Sequence, residues 1–133
     1  MADSEAARAL AEAAKGLTYQ SETDAPWSVF TWPEAKGSPT PELVRQYGRQ
    51  KTNAPTITQS VDDFFGPLTE VKDWFGDAER ADAAKYRALL DTVKKYVQEP
   101  IVVKVGKRKL TIYVVGRDPA GGWAGLKTTS VET

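Results

Sequence analysis

The sequence contains no cysteine, no histidine and a single methionine. Without cysteine there is no disulfide framework, no thiolate metal site and no thiol nucleophile. Without histidine there is no imidazole ligand and no Ser-His or Cys-His catalytic pair. Most familiar enzyme chemistries disappear with those two residue types. A surplus of charge is also missing, since 18 Lys and Arg balance 18 Asp and Glu. A protein that holds nucleic acid by neutralising phosphates normally shows a basic excess, so the balance argues against direct nucleic-acid binding. Long apolar runs are absent too. Stretches such as residues 110–115 extend for six residues, against the roughly 20 a helix needs to span a bilayer. The Ala-rich start mixes Asp3, Glu5, Arg8, Glu12 and Lys15, unlike the basic-then-apolar order of a signal peptide. A cytoplasmic protein with no membrane span is expected.

What is present suits one domain over residues 1–133, with 41% hydrophobic and 27% charged residues. A chain of this length buries roughly two-thirds of its unfolded surface and needs no cross-link to fold. Asp3 or Ser4 can cap a first helix carrying Ala6, Leu10, Ala13 and Leu17 on one face, with Gly16 as its stop. Residues 21–26 read as a polar loop and residues 27–32, aromatic and β-branched, as a strand. Thr40 before Pro41 and Glu42 marks a short helix through Tyr47, stopped at Gly48. A strand over residues 55–59 and a helical turn over 60–65, ended by Gly66 and Pro67, follow. The clearest pattern lies over residues 77–98, where Ala83, Tyr86, Leu89, Leu90, Val93 and Val97 share a helical face closed by Pro100. Two β runs, 101–105 and 110–115, flank a Gly-Lys-Arg-Lys loop, and a third strand follows the turn at 118–122. Both faces of the 110–115 strand are largely apolar, so both require cover.

Charge is unevenly placed along the chain. Residues 62–82 hold seven acids (Asp62, Asp63, Glu70, Asp73, Asp77, Glu79 and Asp82) against Lys72 and Arg80, whereas residues 101–127 hold six basic side chains and one acid. An acidic start complements a helix dipole and aids solubility; the same cluster also suits a basic partner. Asp62 and Asp63 make a poor pair for glycoside hydrolysis, because neighbours in a helical turn point apart and act ordinarily as caps. The glycines at 116–121 lack the spacing of a phosphate cradle, and Lys107, Arg108 and Lys109 read as a soluble hairpin tip that blunts a sheet edge. Trp27, Phe30, Trp32, Phe64, Phe65, Tyr86 and Tyr113 sit in apolar patterns and belong to the core. Trp74, in the polar Lys72-Asp73-Trp74-Phe75-Gly76-Asp77 stretch, suits either the core or an interface, where Trp is enriched among energetically dominant residues.

One ordered set of residues carries a family likeness: Gly16-Leu17, Ser21-Glu22, Pro26, Val29-Phe30-Thr31-Trp32, Asp63-Phe64-Phe65, Asp73-Trp74, Leu89-Leu90, Tyr113-Val114-Val115-Gly116, Ala124-Gly125 and Val131-Glu132-Thr133. In this collinear order the chain resembles the nuclease A inhibitor family, departing from it over residues 34–60 and in the Ala-rich first helix. The resemblance implies a single-domain three-layer α-β-α sandwich: a mixed, mostly antiparallel sheet with helices on both faces. It also implies a non-enzyme that inhibits a sugar-non-specific DNA and RNA endonuclease of the ββα-metal type by covering its active site. Carried over by position, Glu22, Asp73, Trp74 and Thr133 are the expected partner-binding residues. Carboxylates would occupy the place of phosphate oxygens among the nuclease's basic groups, with Trp74 as apolar anchor. Thr133, through hydroxyl and carboxylate oxygens, would approach the Mg²⁺ supplied by the nuclease, so the inhibitor needs no cofactor of its own and is expected as a monomer when free. A binding module of the same fold with a non-nuclease partner is the alternative.

Overall fold

The computed structural model describes residues 4–131. Helix α1 (Glu5–Ala14) opens at Ser4, whose side chain accepts the Ala7 N–H at 2.9 Å. Ala6, Leu10 and Ala14 are buried along it, the face set by the apolar spacing. Gly16, at φ +81°, turns the chain out of the helix. A small antiparallel hairpin follows, β1 (Thr18–Gln20) with β2 (Asp24–Pro26); of the expected loop at 21–26, residues 21–23 form the turn and 24–26 pair as a strand. Three-residue strands are too short for an alternation pattern to show. This hairpin is held by long-range bonds: Tyr86 Oη donates to Thr18 O at 2.6 Å, and Thr128 Oγ1 donates to Pro26 O at 2.9 Å.

The main sheet has five strands in the order β3-β7-β6-β5-β4: β3 (Ser28–Trp32), β4 (Thr56–Ser60), β5 (Gln98–Gly106), β6 (Lys109–Arg117) and β7 (Trp123–Val131). Every neighbouring pair is antiparallel, so the expected mixed sheet is corrected to a wholly antiparallel one. The physical reason is connectivity: β5, β6 and β7 join by short turns, which only antiparallel neighbours permit, and β3 and β4 add to opposite edges.

Alternation along the central strands separates two apolar clusters. Val102, Ile112, Val114 and Leu126 pack with Leu10 of α1, Phe64 and Phe65 of α3 (Val61–Thr69), and Tyr86, Leu89 and Val93 of α4 (Asp77–Tyr96). Val103, Val105, Tyr113 and Val115 pack instead with Val44 of α2 (Pro41–Tyr47), Ala35 and Trp123. Both faces are therefore covered, but unequally, three helices against a single short one. Aromatic rings supplement α2: Tyr47 stacks on Trp32 at 5.7 Å and meets Trp123 edge-on at 5.3 Å. Phe30 and Trp32 are half-buried, while Trp27, Phe64, Phe65, Tyr86 and Tyr113 lie in the core.

Two helix boundaries differ from expectation. Helix α3 runs through Gly66 and Pro67 to Thr69 rather than stopping at them. Proline removes one intrahelical bond, but Phe64 and Phe65 are buried beside it and Leu68 packs on the same cluster, so tertiary contact sustains the last turn. Helix α4 ends at Tyr96, ahead of the expected Gln98, because Gln98 already begins β5. The switch is completed by Glu99, a non-glycine residue at φ +52°, and by a register shift between Gln98 and Ile101.

Candidate protein-binding face

Ser60 caps α3 by accepting the Asp63 N–H at 3.0 Å, and the chain leaves that helix in extended conformation at Glu70. Before α4 begins, the Phe75 N–H donates to Lys72 O at 3.1 Å. That bond closes a β-turn whose two central residues are Asp73 and Trp74. The turn is anchored to the following helix, since Arg80 Nε donates to Phe75 O at 3.3 Å and Glu79 Oε1 accepts the Gly76 N–H at 3.0 Å. Phe75 is the half-buried side of the turn. Trp74 is 76% exposed and touches Phe75 edge-on at 4.9 Å. Of the two readings open to Trp74 from sequence, core and interface, its exposure sets aside the core. Val71 in the same loop is also 55% exposed; an isolated valine among polar residues offered no periodicity by which to find it.

Glu22 lies in the turn of the β1–β2 hairpin. Ser21 organises this turn: its Oγ donates to Thr23 O at 3.0 Å and accepts the Val131 N–H at 3.0 Å. The Glu22 N–H donates to Val131 O at 3.3 Å. The end of β7 is thus tied to the Glu22 turn by two bonds. Thr133, the fourth expected site residue, lies outside the described residues.

A shallow cleft of about 200 Å³ lies between β1 and the residues that flank the start of α4. Thr18 and Gln20 of β1 form one side, Leu68 and Phe75 the apolar floor, and Glu79 and Asp82 of α4 the rim. The cleft brings β1, which leads into the Glu22 turn, beside the base of the Asp73-Trp74 turn. Tyr86 at its back has its hydroxyl pKa raised by burial above all; the bond from Trp27 opposes that rise, and Asp82 adds to it. Several acids of the 62–82 segment already have partners, Asp62 with Lys94 and Glu70 with Lys72 at 3.0 Å. Asp73, Asp77 and Asp82 form no ion pair among the described residues, which leaves a negative field around the exposed tryptophan.

No group of His, Cys, Asp or Glu among the described residues is arranged to hold a metal ion. No helix of the described residues is long and apolar enough to cross a membrane. The described residues form an α/β domain that presents a hydrogen-bonded acidic turn with an exposed indole. The family model described as nuclease A inhibitor-like protein matches residues 4–133. The chain belongs to the nuclease A inhibitor-like family. Among curated proteins none matches it.

Proposed function

We propose that this protein inhibits a sugar-non-specific endonuclease of the ββα-metal type by docking the face built from the Glu22 and Asp73-Trp74 turns over the nuclease active site. The observation that carries the reading is the exposed Trp74 at the apex of an acidic, hydrogen-bonded turn, in a chain of the nuclease A inhibitor-like family. A nuclease indifferent to sequence binds the phosphodiester backbone through Lys, Arg and Mg²⁺, and its active site is positive. Asp73 and Glu22 would form charge-assisted hydrogen bonds with those basic groups. Trp74 would fill an apolar hollow between them and exclude water from the pairs.

The bonds from Val131 to Ser21 and Glu22 favour a shared role for the Glu22 turn and the chain segment that follows β7. Thr133 would direct hard oxygen ligands toward the Mg²⁺ held by the nuclease, and the inhibitor contributes no cofactor or catalytic group. In this reading the scaffold is a three-layer α-β-α sandwich that acts as a monomer in the cytoplasm. It holds the docking residues rigid and so lowers the ordering cost of binding.

The test is titration of the protein against ββα-metal nucleases, with plasmid degradation followed in Mg²⁺ at low and physiological salt. Stoichiometric inhibition that weakens as salt rises is the expected result. Absence of inhibition across several such nucleases would overturn the proposal and assign the face to a partner that is not a nuclease.

A further inference from the structure

The basic side chains of the C-terminal half are not used by the docking face, and one of them, Lys127, borders a different concavity. On the α2 side of the sheet, α2 covers only part of the surface, and the remainder forms an open polar pocket of about 330 Å³. Ser28, Lys127 and Tyr113 stand opposite one another on β3, β7 and β6, and Thr111 faces Thr129 in the next pair on the same side. Gln50, from the loop after α2, supplies a wall. All six of these residues line the pocket, and no carboxylate does.

The pocket floor is a specific hydrogen-bonding group. Tyr113 is 1% exposed, and its hydroxyl accepts from Gln50 Nε2 at 2.8 Å. No acceptor for the hydroxyl's own proton occurs among the described residues. Burial raises the Tyr113 pKa, so the group stays a donor throughout the neutral range. Gly48 makes this arrangement possible: a Cβ there would run into Tyr113 Oη, so only glycine lets the end of α2 lie against that hydroxyl. Lys127 is exposed and forms no ion pair among the described residues. Arg49 and Lys51 flank Gln50 in the chain and add to the positive field.

We propose that this pocket binds a small phosphate monoester, with Lys127 as the charge partner and Tyr113, Gln50, Ser28, Thr111 and Thr129 as donors to its oxygens. The lining sets hydroxyls of the sheet floor and the Gln50 amide on different sides of the pocket. That three-dimensional arrangement suits a tetrahedral oxyanion better than a planar carboxylate. The volume is at the lower end for small-molecule sites, enough for a phosphate with a modest organic substituent. Lys127 and Gln50 belong to neither the Glu22 nor the Trp74 turn, although Ala25 and Pro26 of the hairpin that carries Glu22 also line the pocket.

The experiment is titration of the full chain with phenyl phosphate, inorganic phosphate, acetate and a single-stranded oligonucleotide, followed by amide NMR shifts and calorimetry. Expected are saturable binding of phenyl phosphate, shifts centred on Gln50, Lys127 and Thr129, and weaker binding of acetate. Lys127→Gln should weaken phenyl phosphate binding about tenfold, the scale of one charged hydrogen bond. Tyr113→Phe should weaken it severalfold; if that variant misfolds, Gln50→Leu decides the same point. Unsaturable binding, equal affinity in Lys127→Gln, acetate binding as tightly as phosphate, or oligonucleotide binding without phenyl phosphate binding would each overturn the proposal. Nuclease inhibition should be unchanged in Lys127→Gln.

Discussion

Ser21 Oγ accepts the Val131 N–H at 3.0 Å, joining the turn of a hairpin near the start of the chain to the end of its last strand. The same oxygen donates to Thr23 O, so one hydroxyl shapes the Glu22 turn and holds the end of β7 against it. Ser21→Ala removes both effects. A part-exposed hydrogen bond contributes about 1 kcal/mol, so the melting temperature should fall only slightly. Inhibition of the cognate nuclease should fall by a clearly larger free energy, measured as the change in inhibition constant. Equal losses in the two would make the contact a purely structural one.

Trp74→Ala separates docking from folding. A side chain that is 76% exposed contributes little to the core, and denaturant stability should stay within about 0.5 kcal/mol of the parent. Loss of a central aromatic anchor should weaken nuclease binding by about 2 kcal/mol or more. Titration calorimetry beside urea unfolding distinguishes the two.

Asp73→Asn tests the electrostatic part of the same turn. Its carboxylate forms no ion pair among the described residues, so its charge is available to steer a basic target. The association rate should drop and its dependence on salt should flatten, with a smaller change in dissociation. Stopped-flow binding at two ionic strengths provides the reading.

Tyr86 and Tyr113 predict the alkaline limit of the fold. Burial raises both hydroxyl pKa values above the ordinary 10.0. The folded state therefore retains protons that the unfolded chain releases, so this contribution is complete below pH about 10 and is lost as pH rises through the folded values. Stability should decline above that pH. Tyr113→Phe should flatten the decline. Tyr86→Phe also leaves the buried Trp27 Nε1–H without its 3.1 Å acceptor and should cost about 1–3 kcal/mol at neutral pH.

Gly125→Ala probes a close backbone approach between β6 and β7. A Cβ at this position would meet Val114 O and the Phe30 ring, between two strands that cannot separate without breaking their ladder. A loss of about 1–3 kcal/mol is expected in thermal unfolding, the range for overpacked interiors.

The sequence alone determined the parts whose causes are local. Ser4, Thr40 and the apolar face from Ala83 to Val93 set α1, α2 and α4, because capping bonds and helical periodicity act within a few residues. Alternation in β6 marked a strand covered on both sides. The absence of Cys and His excluded whole classes of chemistry with no knowledge of the fold. Tertiary structure decided the rest. It extended α3 past Pro67, paired residues 24–26 of the expected loop as a strand, and set Trp74 outside the core. It also joined Ser21 to Val131, 110 positions apart, and gathered Gln50, Tyr113 and Lys127 around one pocket. Such pairings depend on which surfaces meet once the sheet has formed. A contact between distant residues leaves no period, spacing or cap in the residues that make it.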